Sequence, residues 1–244
     1  MLRCTNSLSA GESIMPVLAI ASLLLAIALI VLWRYNARLA RERYIRDYVW
    51  PKGLLDRLAK RRPELGLKER ALVARGLRQF FLAYHRSGHR FVSMPSQVAD
   101  DLWHEFILYT KGYDAFCRKA FGRFLHHTPA VVLGTEQQNN AGLRRCWYWC
   151  CREENIDPRN PSRLPLLFAL DGKLGIADGF VYAPDCKALR SSQAGTPHCG
   201  ADLGSGTGAD GSSSDGGGGA GDGGWGWGDD SGGGDGGGGG CGGD

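Results

Sequence analysis

The sequence predicts a mainly α-helical protein: one N-terminal transmembrane helix, a compact multi-helix soluble domain with a loop-rich C-terminal wrap, and a disordered Gly-rich tail. Three observations lead there. Twenty residues from Ile14 to Trp33 carry no charge. Apolar residues recur at helical spacing between residues 54 and 155. After Leu203 the only large apolar side chains are Trp225 and Trp227. The chain therefore parses into a short N-terminal segment (1–13), a transmembrane helix (14–33), a basic juxtamembrane helix (34–50), a helical module (51–190) and a disordered tail (191–244).

The uncharged run is the most specific of these signals. At about 1.5 Å rise per residue, twenty helical residues span roughly the 30 Å hydrocarbon core of a bilayer. Pro16 falls in the first turn, where its missing N–H costs little, and Trp33 and Tyr35 stand where interfacial aromatics are expected. Arg3 alone precedes the run, whereas Arg34, Arg38, Arg41, Arg43, Arg46 and Lys52 follow it. By the excess of positive charge on cytoplasmic flanks, the N-terminus lies outside and the C-terminal domain in the cytoplasm. A cleaved signal peptide expects positive charge before a shorter apolar stretch, the reverse of what is found.

The juxtamembrane helix ends at Pro51 and Gly53, and two helices follow, Leu54–Lys60 and about Lys68–Tyr84. Ser93, Pro95 and Ser96 announce a helix reaching about Thr110, whose apolar arc covers more than half its circumference and predicts burial on most sides. Another runs Tyr113–Phe121, ended by Gly122, and a last one covers about 135–155. From Asp157 to Cys186, prolines and the pairs Asp171-Gly172 and Asp178-Gly179 predict a wrap of turns and short elements with one hairpin.

Charge is unevenly distributed. The formal net charge is +4, yet residues 201–244 hold eight Asp and no Lys, Arg or Glu, which leaves the rest of the chain at +12. A basic body beside an acidic tail suits anionic lipid, an acidic protein partner or the tail itself. Nucleic acid is not indicated, because the basic residues are dispersed and no binding signature accompanies them. The eight cysteines form no compact framework, so in a cytoplasmic domain they read as reduced thiols.

Asp100, His104, Cys117, His126 and His127 are the candidate metal ligands. Imidazole and thiolate suit zinc or a similar divalent ion, and Asp100 lies one helical turn from His104. Their spacing matches no defined zinc pattern, so the competing reading is structural: an Asp–His hydrogen bond, a buried thiol, and two imidazoles capping a helix end. Catalytic residues are not identifiable, and no cofactor is expected beyond that ion. Cys146 and Cys150 are also one turn apart, but without a Cys-x-x-Cys or neighbouring His they read as packing beside Trp147 and Trp149.

The string Pro95-Ser96, Asp101-Leu102-Trp103-His104, Ile107-Leu108, Tyr113, Cys117, Gly122 and His126-His127 resembles the helical module of glycine-rich domain-containing proteins. Leu164 to Ala169, Asp178-Gly179 and Tyr182 are similar to the continuation in bacterial membrane-anchored members. Plant members often carry a second His two positions after the first, where this chain has Phe106. The resemblance implies a domain identity and no defined activity. The functional expectation is a membrane-tethered helical module acting through binding or assembly, with the bilayer and a protein partner or second copy as its partners. The alternative is a metal-dependent enzyme using the Asp/His/Cys cluster.

Overall fold

The computed structural model describes residues 10–127, 136–184 and 198–205. The chain divides into two units, Met1–Gly208 and Ala209–Asp244. The second lies outside the described residues, and with it most of the stretch for which a disordered tail is expected.

Among the described residues the fold is mainly helical, in the order α1 (Ala10–Asp47), α2 (Leu54–Arg61), α3 (Leu67–Arg86), α4 (Gln97–Ile107), α5 (Thr110–Phe121), α6 (Glu136–Glu153), α7 (Leu166–Leu174), β1 (Tyr182–Ala183), β2 (His198–Cys199) and α8 (Gly200–Ser205). The apolar run and the basic segment after it are one continuous helix. From Leu18 to Asp47, α1 is long and apolar enough to cross a membrane, with a mean hydropathy of 2.2 in a window of which 0% is buried. Leu18, Leu24, Ile27, Ile30 and Leu32 touch no protein core.

The C-terminal third of α1 behaves differently, because it docks. Ile45 is fully buried, and the Arg78 guanidinium donates to the carbonyls of Ile45 (3.1 Å) and Tyr48 (2.8 Å) while lying 5.4 Å over the Trp50 ring. These carbonyls belong to the end of the helix, where acceptors lack intrahelical partners and a cation meets the negative end of the helix dipole. Arg86 on α3 pairs with Glu42 of α1 (2.7 Å) and with Glu153 of α6 (2.6 Å), and Arg46 of α1 also pairs with Glu153. Arg41 donates to the Phe121 carbonyl at the end of α5 (3.3 Å).

The core lies between α3, α4, α5 and the end of α1. Phe81, fully buried, has the rings of Trp103, Phe106, Phe116 and Phe121 around it at centroid distances of 5.0 to 6.4 Å. On the other side of α3, α7 comes close because Gly76 has no side chain: a Cβ there would stand 2.4 Å from Leu170 Cδ1. Gln79 and Glu154 satisfy the first turn of α7, accepting from the backbone N–H of Leu167 (2.9 Å) and Leu166 (2.6 Å).

Two details of the wrap differ from expectation. Asp171-Gly172 is not a turn but the middle of α7; the Leu166–Leu174 segment buries Leu167, Phe168 and Leu170, and that packing overrides the turn chemistry of the dipeptide. The two short strands pair in parallel, Tyr182 with His198 and Ala183 with Cys199, so they form no hairpin.

Candidate functional site

The site is built on α4. Ser96 caps the helix by accepting from Ala99 N–H (3.2 Å) and donates in turn to Asp171 (2.7 Å). The Asp171 carboxylate also accepts from the N–H groups of Gln97 (2.7 Å), Val98 (3.2 Å) and Phe180 (2.9 Å). A buried anion at a helix N-terminus satisfies orphan donors and complements the dipole. Gly179 permits it, since a Cβ there would stand 2.6 Å from Asp171 Cβ. Asp171 thereby fixes the first turn of the helix that carries Asp100 and, one turn later, His104.

The chain reaches α4 again after α5. Gly122 ends that helix in the left-handed region at φ 75°, which costs a glycine no steric strain. Leu125 then turns inward, and its carbonyl accepts from Tyr113 Oη (2.6 Å), itself the acceptor of Trp103 Nε1 (3.1 Å). The residues after Leu125 therefore diverge. His126 is exposed against the Phe124 ring (4.7 Å), whereas His127 folds back over α4 against Trp103 (4.5 Å) and His104 (4.3 Å).

Three of the five candidates meet. Potential ligand atoms of Asp100, His104 and His127 lie within 4.8 Å of one another, and among the described residues this is the one such group of three or more. His127 Nε2 is 2.8 Å from Asp100 Oδ1, and His104 Nδ1 is 3.5 Å from Asp100 Oδ2. His104 Nδ1 is buried without a hydrogen-bond partner although the side chain as a whole is 40% exposed. Bonds of about 2.0–2.1 Å at tetrahedral angles place ligand atoms about 3.3 Å apart. The two imidazoles face different oxygens of the Asp100 carboxylate, and the ligand atoms, within 4.8 Å of one another, would have to draw closer to reach that spacing. Two imidazoles and a carboxylate are a donor set suited to zinc with one position left for water.

Cys117 and His126 are outside the group. Cys117 is buried between the aromatic rings of α5 and the core, and burial, offset in part by hydrogen bonds from the Leu125 backbone and Tyr113, pushes its thiol above the ordinary range. His126 is exposed and meets the Phe124 ring, outside the group. Cys146 and Cys150 have their Sγ atoms 3.9 Å apart, both fully buried, and burial raises the Cys150 thiol well above its ordinary value. Among the described residues Cys117, Cys146, Cys150 and Cys151 are free thiols.

Two charged arrangements went unread in the sequence. Asp101, fully buried, pairs with Arg61 (2.9 Å) and Arg62 (2.7 Å), and Arg62 also grips Asp178 through two bonds of 2.6 and 2.7 Å. Asp171 is the other. Only the doublet Arg61-Arg62 at the end of a short helix hinted at an internal partner.

A family model described as UCP032817-like matches residues 40–203. The chain belongs to that family. The match runs from the docked part of α1 through Leu203 and contains both segments that resemble glycine-rich domain-containing proteins, so that resemblance is overturned. Its physical basis is plain: Ser96, Trp103, Tyr113 and Gly122 are a helix cap, two buried hydrogen-bonded aromatics and a helix stop, features that any buried helical pair needs. No curated protein and no solved structure matches the chain.

Proposed function

We propose that this UCP032817-like protein is a single-span, membrane-tethered helical module, held on the cytoplasmic face, that acts by binding a protein partner or a second copy of itself. The observation that carries the reading is the abrupt change along α1, from side chains with no protein around them at Leu18–Leu32 to a docked end at Glu42–Asp47. Lipid is the solvent that makes the first half tenable, and the arginine-rich shoulder orients it. The test is protease protection of a C-terminal epitope on the full chain in intact cells. Protection lost only on permeabilisation supports the reading; digestion in intact cells, or extraction of the protein by carbonate, overturns it.

A second reading, a divalent metal site and with it metal-dependent catalysis, is favoured by the convergence of Asp100, His104 and His127 and by the orphaned His104 Nδ1. Asp100, His104 and His127 would each supply one ligand, and the ion would polarise a water at the position left open. Zinc content of the full chain in micelles tests it. About one zinc per chain, lost in His104→Ala and in His127→Ala, supports the site; no stoichiometric zinc after equilibration with the metal leaves an ordinary His127–Asp100 hydrogen bond.

A further inference from the structure

A cavity of about 980 Å³ opens between α3, α6, α7 and the docked end of α1. Five cations line it, Arg46, Arg75, Arg78, Arg163 and Lys173, against two carboxylates, Glu153 and Glu154. Three of the cations are committed. Arg78 is held by the carbonyls of Ile45 and Tyr48, Arg46 by Glu153, and Arg163 by Glu154. The carboxylates are committed too. Glu153 takes Arg46 and Arg86, and Glu154 takes Gln79, Arg163 and the Leu166 N–H. Burial alone would raise both carboxyls, but these donors outweigh it and hold them below the usual range, so neither carboxylate is spare. Arg75 and Lys173 have no ion pair or hydrogen bond among the described residues.

We propose that this cavity binds a soluble, multiply charged phosphate-bearing small molecule, with Arg75 and Lys173 as its anchors. An arginine fork and a lysine point charge are a common pairing for phosphate oxygens. Leu72, Leu82 and Leu164 give the remainder of such a molecule an apolar wall, and the volume is within the range of small-molecule sites.

A lipid head group offers the same chemistry, but distance argues against it. Arg46 stands thirteen residues beyond Trp33 on one unbroken helix, about 20 Å along the axis. The surface potential of a membrane decays within a Debye length of about 8–10 Å, and a typical tilt of about 20° changes that height little. The choice of a soluble source therefore rests on the membrane reading above, whereas the anchors themselves do not.

The experiment uses the full chain in phosphatidylcholine nanodiscs, with inorganic pyrophosphate as the probe and thermal unfolding as the readout. Arg75 and Lys173 are exposed, so Arg75→Gln and Lys173→Gln should leave the unliganded midpoint unchanged. A saturable rise in midpoint with pyrophosphate, absent with sodium chloride at equal ionic strength and weakened about tenfold or more in each variant, is the expected result. No saturable rise up to about 10 mM, or a rise that both variants retain, overturns the site. A rise in nanodiscs containing phosphatidylglycerol without pyrophosphate, lost in the variants, overturns the soluble source. Because protease protection reports topology independently, failure here is distinguishable from failure of the tethering reading.

Discussion

Replacing Asp171 by Asn should unfasten the N-terminus of α4, and the size of the effect follows from the hydrogen bonds counted at that carboxylate. Asp171 is 2% exposed and accepts from Ser96 Oγ and the N–H groups of Gln97, Val98 and Phe180. An amide of the same shape retains one acceptor oxygen and turns an NH₂ toward the donors that used the other. About two charge-assisted bonds are lost at about 1.5–3 kcal/mol each, with buried donors left unpaired, so the cost is about 3–6 kcal/mol. For a body of this size the unfolding midpoint should fall by roughly 6–24 °C. Thermal unfolding of the full chain in micelles, followed by tryptophan fluorescence, measures it. Ser96→Ala alone should cost about 1 kcal/mol, and the double variant should cost clearly less than the sum, since Ser96 joins Asp171 to Ala99. A drop below about 3 °C for Asp171→Asn, or strict additivity with Ser96→Ala, would refute the reasoning.

Gly76→Ala places a methyl 2.4 Å from the fully buried Leu170; despite a gain of about 1 kcal/mol in helix propensity, net destabilisation of about 1–2 kcal/mol is expected by denaturant titration. Stability should also depend on pH through His89. Desolvation, with His85 and nearby arginines, lowers its pKa from the ordinary 6.5 to about 4. The unfolded chain then binds the extra proton first, so this contribution is complete above about pH 6.5 and is lost as pH falls toward about 4. His89→Asn, which tolerates the left-handed backbone found there (φ 64°), should flatten that slope in acid titrations of the unfolding midpoint. Finally, mass spectrometry after brief iodoacetamide treatment should find Cys117, Cys146, Cys150 and Cys151 unmodified in the native protein and modified after denaturation, because all four are fully buried.

Much of the fold could be read from the sequence because it rests on local signals. The charge-free run, the Ser96 cap, the Gly122 stop and the apolar arc of α4 each depend on neighbours a few residues away, and each element appears within a few residues of its expected bounds. What could not be read depends on distant partners. Asp100 and His104 are one turn apart and were visible as a pair, but that His127 joins them while His126 does not is decided by Leu125 turning inward under Tyr113. Asp171 looked like a turn residue because three of the donors it serves, the Ser96 hydroxyl and the N–H groups of Gln97 and Val98, lie 73–75 positions earlier. The glycine-rich-domain resemblance failed for a related reason: caps, stops and buried aromatics are shared by unrelated helical bodies.

The unbroken α1 has a mechanical consequence. A helix of 38 residues is about 57 Å long, and after Pro16 it contains no proline, while its far end is clasped by Arg78 and Arg86 and tied through its own Arg41 to Phe121. Such an element is a stiff mast, so a rotation of its apolar half about its own axis swings the whole body through the same angle. If two copies meet along their apolar halves, the residue faces chosen there dictate which flanks of the two bodies confront each other.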